Sequence, residues 1–154
     1  NIFLNTNANI IYGDIIYVRM YKNKIIRNWV SNTKDYTRVL KKDDYRNLIN
    51  HGWMPPHTSL FIKKNLLKKI GNYNESYKIS SDYDFTCRIF KHINSKIYYH
   101  PKKLIVMKTG GLSNKSIKNI AVKFMEDLII IKNNNLGGYK TLFFKIFSKI
   151  KQFI

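Results

Sequence analysis

Glu75, Asp82 and Asp84 stand close together in a chain that holds only 9 Asp plus Glu against 28 Lys plus Arg. They lie in Gly71-Asn72-Tyr73-Asn74-Glu75-Ser76-Tyr77 and in Ser80-Ser81-Asp82-Tyr83-Asp84-Phe85 just beyond it. Asp82 and Asp84 fall where a helix should begin. Ser80 or Ser81 can cap it, acids suit its first turn, and Phe85, Ile89, Phe90 and Ile93 supply an apolar face behind them. A carboxylate fixed at a helix start can serve as a general base, because aspartate is ordinarily ionised at neutral pH and free to accept a proton. Acids in a first turn also serve simply to complement the helix dipole. Asp84 and Arg88 are i,i+4 partners, which leaves Asp82 as the freer acid.

Two further stretches carry residue types suited to chemistry. In Gly52-Trp53-Met54-Pro55-Pro56-His57-Thr58-Ser59 the two prolines set a rigid, extended approach, and His57 follows at its end, either facing a cleft or serving the fold. In Lys108-Thr109-Gly110-Gly111-Leu112-Ser113-Asn114 a glycine pair precedes a helix that Ser113 or Asn114 can cap, and a helix start of this kind can receive a phosphate. Other chemistries are excluded by spacing. Gly137-Gly138-Tyr139-Lys140-Thr141 lacks the glycine spacing of a phosphate-binding loop. His51, His57, His92 and His100 have no zinc-ligand spacing. The single cysteine, Cys87, excludes an intrachain disulfide and reads as a small buried apolar residue.

The elements that must position these residues follow from periodicity. Ile10 to Val18 reads as a strand covered on both faces, with Gly13 marking a bulge or a close backbone approach and Asp14 either a satisfied buried acid or a site residue. Lys22 to Lys24 reads as a turn, Lys24 to Trp29 as a returning strand, and Ser31 to Asp44 as a loop with a short helix. A helical stretch over Tyr45 to Asn50 ends before Gly52, and Ser59 to Ile62 reads as a short strand. Asn65 to Ile70 is a helix stopped by Gly71, followed by the central helix over Asp82 to Ile93. Lys96 to His100 and Leu104 to Met107 read as two strands separated by Pro101. Ile117, Ala121, Phe124, Leu128 and Ile131 define an amphipathic helix to about Asn133. The tail from Tyr139 places Phe143, Ile146, Phe147, Ile150 and Phe153 on one face and Lys140, Lys145, Lys149 and Lys151 around the rest, so it either lies on an anionic membrane surface or packs on its own domain.

The chain has 154 residues, 44 % of them hydrophobic, which suits one domain with a substantial core. Its net charge of +19 attracts polyanions, but the lysines are spread from Lys22 to Lys151 rather than gathered in a stripe, so nucleic acid is not the favoured partner. Asn1-Ile2-Phe3-Leu4 carries neither a charged leader nor a long apolar core, so no signal peptide is expected, and no run reaches the length of a membrane span.

Taken together, Tyr12-Gly13-Asp14-Ile15, Met54 to Ile62, and Gly71 to Arg88 resemble, in order and spacing, the later half of the family 2 glycosyltransferases, the bacterial type that assembles surface polysaccharides. Gly110-Gly111-Leu112-Ser113 matches the expected fourth element, and the resemblance covers about Ile10 to Lys118. It implies an α/β fold, the C-terminal part of a Rossmann-like GT-A fold with a mixed sheet flanked by helices and followed by C-terminal amphipathic helices. Residues 1–118 would be the acceptor-side part, without the N-terminal nucleotide-binding half, and 119–154 the C-terminal helices, able to associate with a membrane surface. Asp82 matches the catalytic base of an inverting transfer. Met54, Pro55, His57, Ser59, Tyr83 and Asp84 match acceptor-site positions, and Gly110 and Gly111 a loop near the donor diphosphate. The partners implied are a nucleotide-sugar donor and a saccharide or lipid-linked acceptor. The place implied is the cytoplasm, at the inner face of the plasma membrane. A divalent metal, Mn²⁺ or Mg²⁺, is expected for such an enzyme, but no D-x-D-type ligand motif precedes Tyr12, so this chain is expected to supply none of the metal site, to bind a sugar nucleotide poorly and to be inactive alone. The competing expectation, from charge alone, is a non-catalytic basic module for anionic lipid or nucleic acid.

Overall fold

A computed structural model describes residues 2–18, 25–29, 39–40, 42–92, 96–108 and 116–150. They form a mixed α/β structure built on one five-stranded sheet. Its central strand is β1 (Ile10–Val18), at the bounds that the apolar run predicts. One edge of β1 pairs in parallel with β5 (Ile97–Lys108) along its whole length. Its other edge is shared by two antiparallel strands. The early half pairs with β4 (Phe61–Ile62) and the late half with β2 (Ile25–Trp29). A two-residue β3 (Val39–Leu40) closes the sheet against the start of β5.

Alternation in the strands sets the core. Ile10 and Tyr12 share a face of β1 and lie opposite Ile97 and Tyr99 of β5. That face is covered by α2 (Lys42–Asn50), through Tyr45 and Ile49, and by α4 (Ser81–His92), through Phe85, Ile89 and Phe90. Aromatic rings run through this layer edge to face: Tyr12 on Trp53 at 5.7 Å, Trp53 on Phe90 at 5.6 Å and Phe90 on Tyr45 at 5.7 Å. Cys87 is fully buried here, as its lone occurrence suggests, and burial pushes its thiol up to about 12. A thiol so raised stays protonated and is no nucleophile at neutral pH.

The strand readings around Pro101 and Ser59 are corrected. β5 is continuous through Pro101. Gly13 pairs with His100, Asp14 with Lys103 and Ile15 with Ile105, so the extra residues of β5 bulge out where the proline cannot donate. Gly13 permits the close approach: a Cβ there would lie 2.6 Å from Leu104 Cδ1 and 2.9 Å from the Lys102 carbonyl oxygen. His57–Ser59 is a single 3-10 turn, and only Phe61–Ile62 is strand. The turn is closed by the Ser59 N–H, which donates to the Pro56 carbonyl at 3.0 Å, while the Ser59 hydroxyl is taken by the carbonyl of Gly13 in the central strand instead of leaving the residue to the sheet ladder.

The reading of Ser31 to Asp44 as a loop with a short helix is corrected too, since β3 lies within it and α2 already begins at Lys42; the other helices follow their signals. Helix α1 (Ile2–Thr6), for which the sequence offers no periodic signal, precedes β1, with the Thr6 hydroxyl on the Ile2 carbonyl. Helix α3 (Lys64–Ile70) ends at Gly71, whose φ of 80° lies in the region that favours glycine. Helix α5 (Ile117–Asn133) is capped by Ser116, whose side chain accepts from the Asn119 N–H, in place of the Ser113 or Asn114 cap expected. Ser113, Asn114 and the turn over Lys22 to Lys24 lie outside the described residues. Helix α6 (Tyr139–Ile150) packs on α5, which packs on α4. Among the described residues no helix is long and apolar enough to cross a membrane.

Gly13→Ala should lower stability by about 1–3 kcal/mol, the range for a forced fit in a packed interior. Leu104→Ala added to it should recover only part of the loss, because the Lys102 carbonyl cannot retract as a side chain can. Chemical denaturation of the single and double variants checks both statements.

Candidate active site

Asp82 occupies the first turn of α4, where the helix N-terminus favours negative charge. One carboxylate oxygen, Oδ1, accepts the Tyr83 N–H at 2.8 Å. The other, Oδ2, lies 3.2 Å from Nδ1 of His57, and the two side chains remain about one-third exposed, at 33 % and 36 %. An acid and an imidazole from separate parts of the chain are thus brought together at the surface, within reach of a ligand. With Nδ1 donating to the carboxylate, Nε2 of His57 is directed elsewhere and can accept. Capping by a serine hydroxyl is replaced here. The Ser81 hydroxyl donates to the Asn74 carbonyl at 2.8 Å and the Ser80 hydroxyl to the Lys123 carbonyl at 3.5 Å.

His57 owes its place to Ser59. The Ser59 side chain is fully buried and its hydroxyl donates to the Gly13 carbonyl at 2.6 Å, tying the 3-10 turn to the central strand. Ser59 therefore holds the turn from beneath rather than presenting its hydroxyl to a cleft. Thr58 reaches the Met107 sulfur at 3.4 Å. Pro55 is buried, and Met54 is half-buried against the core. Asp14 is a satisfied buried acid: the Tyr99 hydroxyl donates to its two oxygens, at 2.9 and 3.0 Å. Burial, together with that bond, pushes the Tyr99 hydroxyl well above its ordinary value.

The remaining acid of the first turn is engaged, as its spacing predicts. Asp84 is buried and accepts from Arg88 Nε at 2.8 Å. Arg88 also donates to the carbonyls of Ile70 and Asn72, at 2.7 Å each, and so fastens the loop after α3 to α4. Tyr73 on this loop stacks on Phe85 at 4.4 Å. Burial, with the Asp82 charge adding to it, raises the Tyr73 hydroxyl above its ordinary value. Tyr83 points inward, away from Asp82, with its ring under the ammonium of Lys145 at 2.9 Å.

Two residues essential to this geometry carry no motif signal. Glu126, on the buried side of α5, accepts three successive backbone N–H groups, from Lys78 at 2.8 Å, Ile79 at 3.0 Å and Ser80 at 2.8 Å. These residues lead directly into α4, so one carboxylate sets where Asp82 emerges. Its neighbour Asp127 holds α6: Lys145 Nζ lies 2.8 Å from Oδ2 and Lys123 Nζ 2.6 Å from the same atom. Burial alone would raise the Asp127 carboxyl, but the two ammonium groups outweigh it and hold the carboxyl below its ordinary value. Lys145, expected on a solvated flank of the tail, is therefore buried. The only sequence hint was an adjacent acid pair on an otherwise apolar helix face.

The structure thus joins His57 to Asp82, sets Ser59, Tyr83 and Asp84 in supporting positions, and places Met54 and Pro55 in the segment that leads into the His57 turn. Gly110 and Gly111 lie outside the described residues. Among the described residues no three His, Cys, Asp or Glu side chains gather as a metal site, so no metal ligand is assigned. Neither a protein-family model nor a curated protein matches the chain.

Asp127→Asn should destabilise the fold by about 3–5 kcal/mol, because it removes the carboxylate charge beside the buried Lys145 ammonium. Since the folded-state value of Asp127 is lowered, its contribution is complete above the ordinary carboxylate value of roughly 4 and is lost as pH falls through the folded-state value. The wild-type protein should therefore lose stability below about pH 4 more steeply than Asp127→Asn does. Denaturation midpoints measured across that range check this.

Proposed function

We propose that the chain is the acceptor-side part of an inverting glycosyltransferase of family 2, with a GT-A fold, acting in cell-surface polysaccharide synthesis. The observation that carries this reading is the His57–Asp82 pair, about one-third exposed, with Asp82 in the first turn of α4. The order of the Gly13-Asp14, Pro55-Pro56-His57 and Gly71-to-Arg88 stretches along the chain supports it.

The chemistry asks little of these residues beyond position. Asp82 accepts the proton of an acceptor hydroxyl while that oxygen forms a bond to the anomeric carbon of the donor sugar. The bond from that carbon to the nucleoside diphosphate breaks on the opposite face, so configuration inverts and the electron pair leaves with the diphosphate. His57 orients the carboxylate through Nδ1 and offers Nε2 to the acceptor. The N-terminal end of α4 favours the ionised carboxylate that starts the reaction. A divalent metal, Mn²⁺ or Mg²⁺, bound by residues other than those described, would assist departure of the diphosphate. The donor is a nucleotide sugar and the acceptor a saccharide or lipid-linked saccharide, at the cytoplasmic face of the plasma membrane.

Transfer assayed with a panel of nucleotide sugars and Mn²⁺, on the longest continuous reading frame containing this chain, tests the reading. Asp82→Asn should reduce turnover by about 10²–10⁴, the range for a general base. His57→Ala should reduce it less, since the carboxylate that takes the proton remains. Full activity in Asp82→Asn would remove the base assignment. No turnover of any donor, together with polyanion binding that salt abolishes, would favour a basic binding module instead.

A further inference from the structure

We propose that the outward faces of α5 and α6 form one continuous surface that docks on an anionic lipid bilayer. The inward faces of these helices are fully used. Glu126, Asp127, Ile130 and Ile131 of α5 and Thr141, Leu142 and Lys145 of α6 are buried. What remains outside is unusually apolar. Phe124, Met125 and Ile129 are exposed on α5, and Tyr139, Phe143 and Phe147 on α6, with Met125 at 65 % and Phe143 at 64 %. These residues are not a misplaced core, because the core contacts of both helices are made by other positions. The apolar stripe that the sequence marks on the tail therefore points away from the domain, and it is matched by a second stripe on α5. Ile150's side chain and Phe153 lie outside the described residues. The two stripes meet where Lys132 Nζ lies 5.7 Å from the Tyr139 ring centre, and Phe143 and Phe147 stack beside that junction at 6.1 Å.

Charge selects the occupant. The only acids in α5 and α6 are Glu126 and Asp127, and these two are buried. The exposed charges among the described residues of these helices are Lys118, Lys132 and Lys140. An apolar, aromatic surface with only cations beside it suits the interfacial zone of an anionic bilayer, where rings sit at the headgroup boundary and ammonium groups meet phosphates. A second copy would bring another +19 of like charge against it. One consequence rests on the transferase reading, whereas the docking itself does not. Glu126 faces inward from the helix that docks, so the segment leading to Asp82 lies about one helix diameter, roughly 10–12 Å, from the lipid surface. That separation suits an acceptor saccharide carried on a lipid in the same membrane.

The test is co-sedimentation of the whole chain with vesicles of phosphatidylcholine alone and of phosphatidylcholine with phosphatidylglycerol, read independently of any transfer assay. Binding to the anionic vesicles and not the neutral ones is expected. Phe124→Glu and Phe143→Glu, at exposed positions, should each weaken it by roughly tenfold or more with circular dichroism unchanged. Lys118→Gln, Lys132→Gln and Lys140→Gln together should weaken it while leaving the fold intact. The proposal is overturned by absence of binding to anionic vesicles, by binding that the two Phe variants leave unaltered, or by a solution dimer that Phe143→Glu dissolves. Because vesicle binding needs no donor or acceptor, its failure and the failure of the transferase reading are separate results.

Discussion

Two adjacent carboxylates on one turn of α5 hold the segment before the candidate site and the last helix in place. Glu126 gathers three backbone N–H groups of the segment that runs into α4, and Asp127 gathers the ammonium groups of Lys123 and Lys145. Backbone N–H groups removed from water must find acceptors, and a buried ammonium must find an anion. The same helix face answers each requirement. A displacement of α5 would therefore strand the donors before Asp82 and the charge of α6 at once, which couples the segment carrying the candidate base to the C-terminal helices.

The opposite side of the site is fixed through the sheet. β1 is covered on both edges, by β5 along its length and by β4 and β2 in turn. Gly13, at the bulge opposite Pro101, lets Leu104 approach closely, and its carbonyl anchors Ser59. The 3-10 turn that carries His57 is thus tied to the central strand, while Asp82 is tied through Glu126 to α5. The His57–Asp82 pair spans these two anchored bodies, and its accessibility follows from its position at their seam. Arg88 closes the third side by fastening the Ile70 and Asn72 carbonyls to α4, which places Tyr73 over Phe85.

Much of the scaffold was legible because it rests on local signals. The β-branched run over Ile10 to Val18, the Gly71 stop and the 3.6-residue recurrence from Ile117 each express a preference that neighbours in sequence already decide. The readings that changed involve competition with distant groups. Ser59 reads as strand until Gly13 offers its hydroxyl an acceptor, and Pro101 reads as a strand end until the bulge absorbs it. The serine caps at Ser80 and Ser81 were likewise displaced by carbonyls from Lys123 and Asn74.

By itself the sequence determined that Asp82 and Asp84 begin a helix, that Asp84 pairs with Arg88, and that a rigid proline segment delivers His57, since each depends on residue type at short range. Only the tertiary structure decided that His57 meets Asp82, that Glu126 sets the segment before it, and which side of α6 faces out. Periodicity defines a stripe on a helix but carries no information on whether that stripe or its opposite meets the domain. Here Asp127 drew Lys145 inward, because a buried carboxylate needs a cation more than the tail needs to hide its aromatic rings.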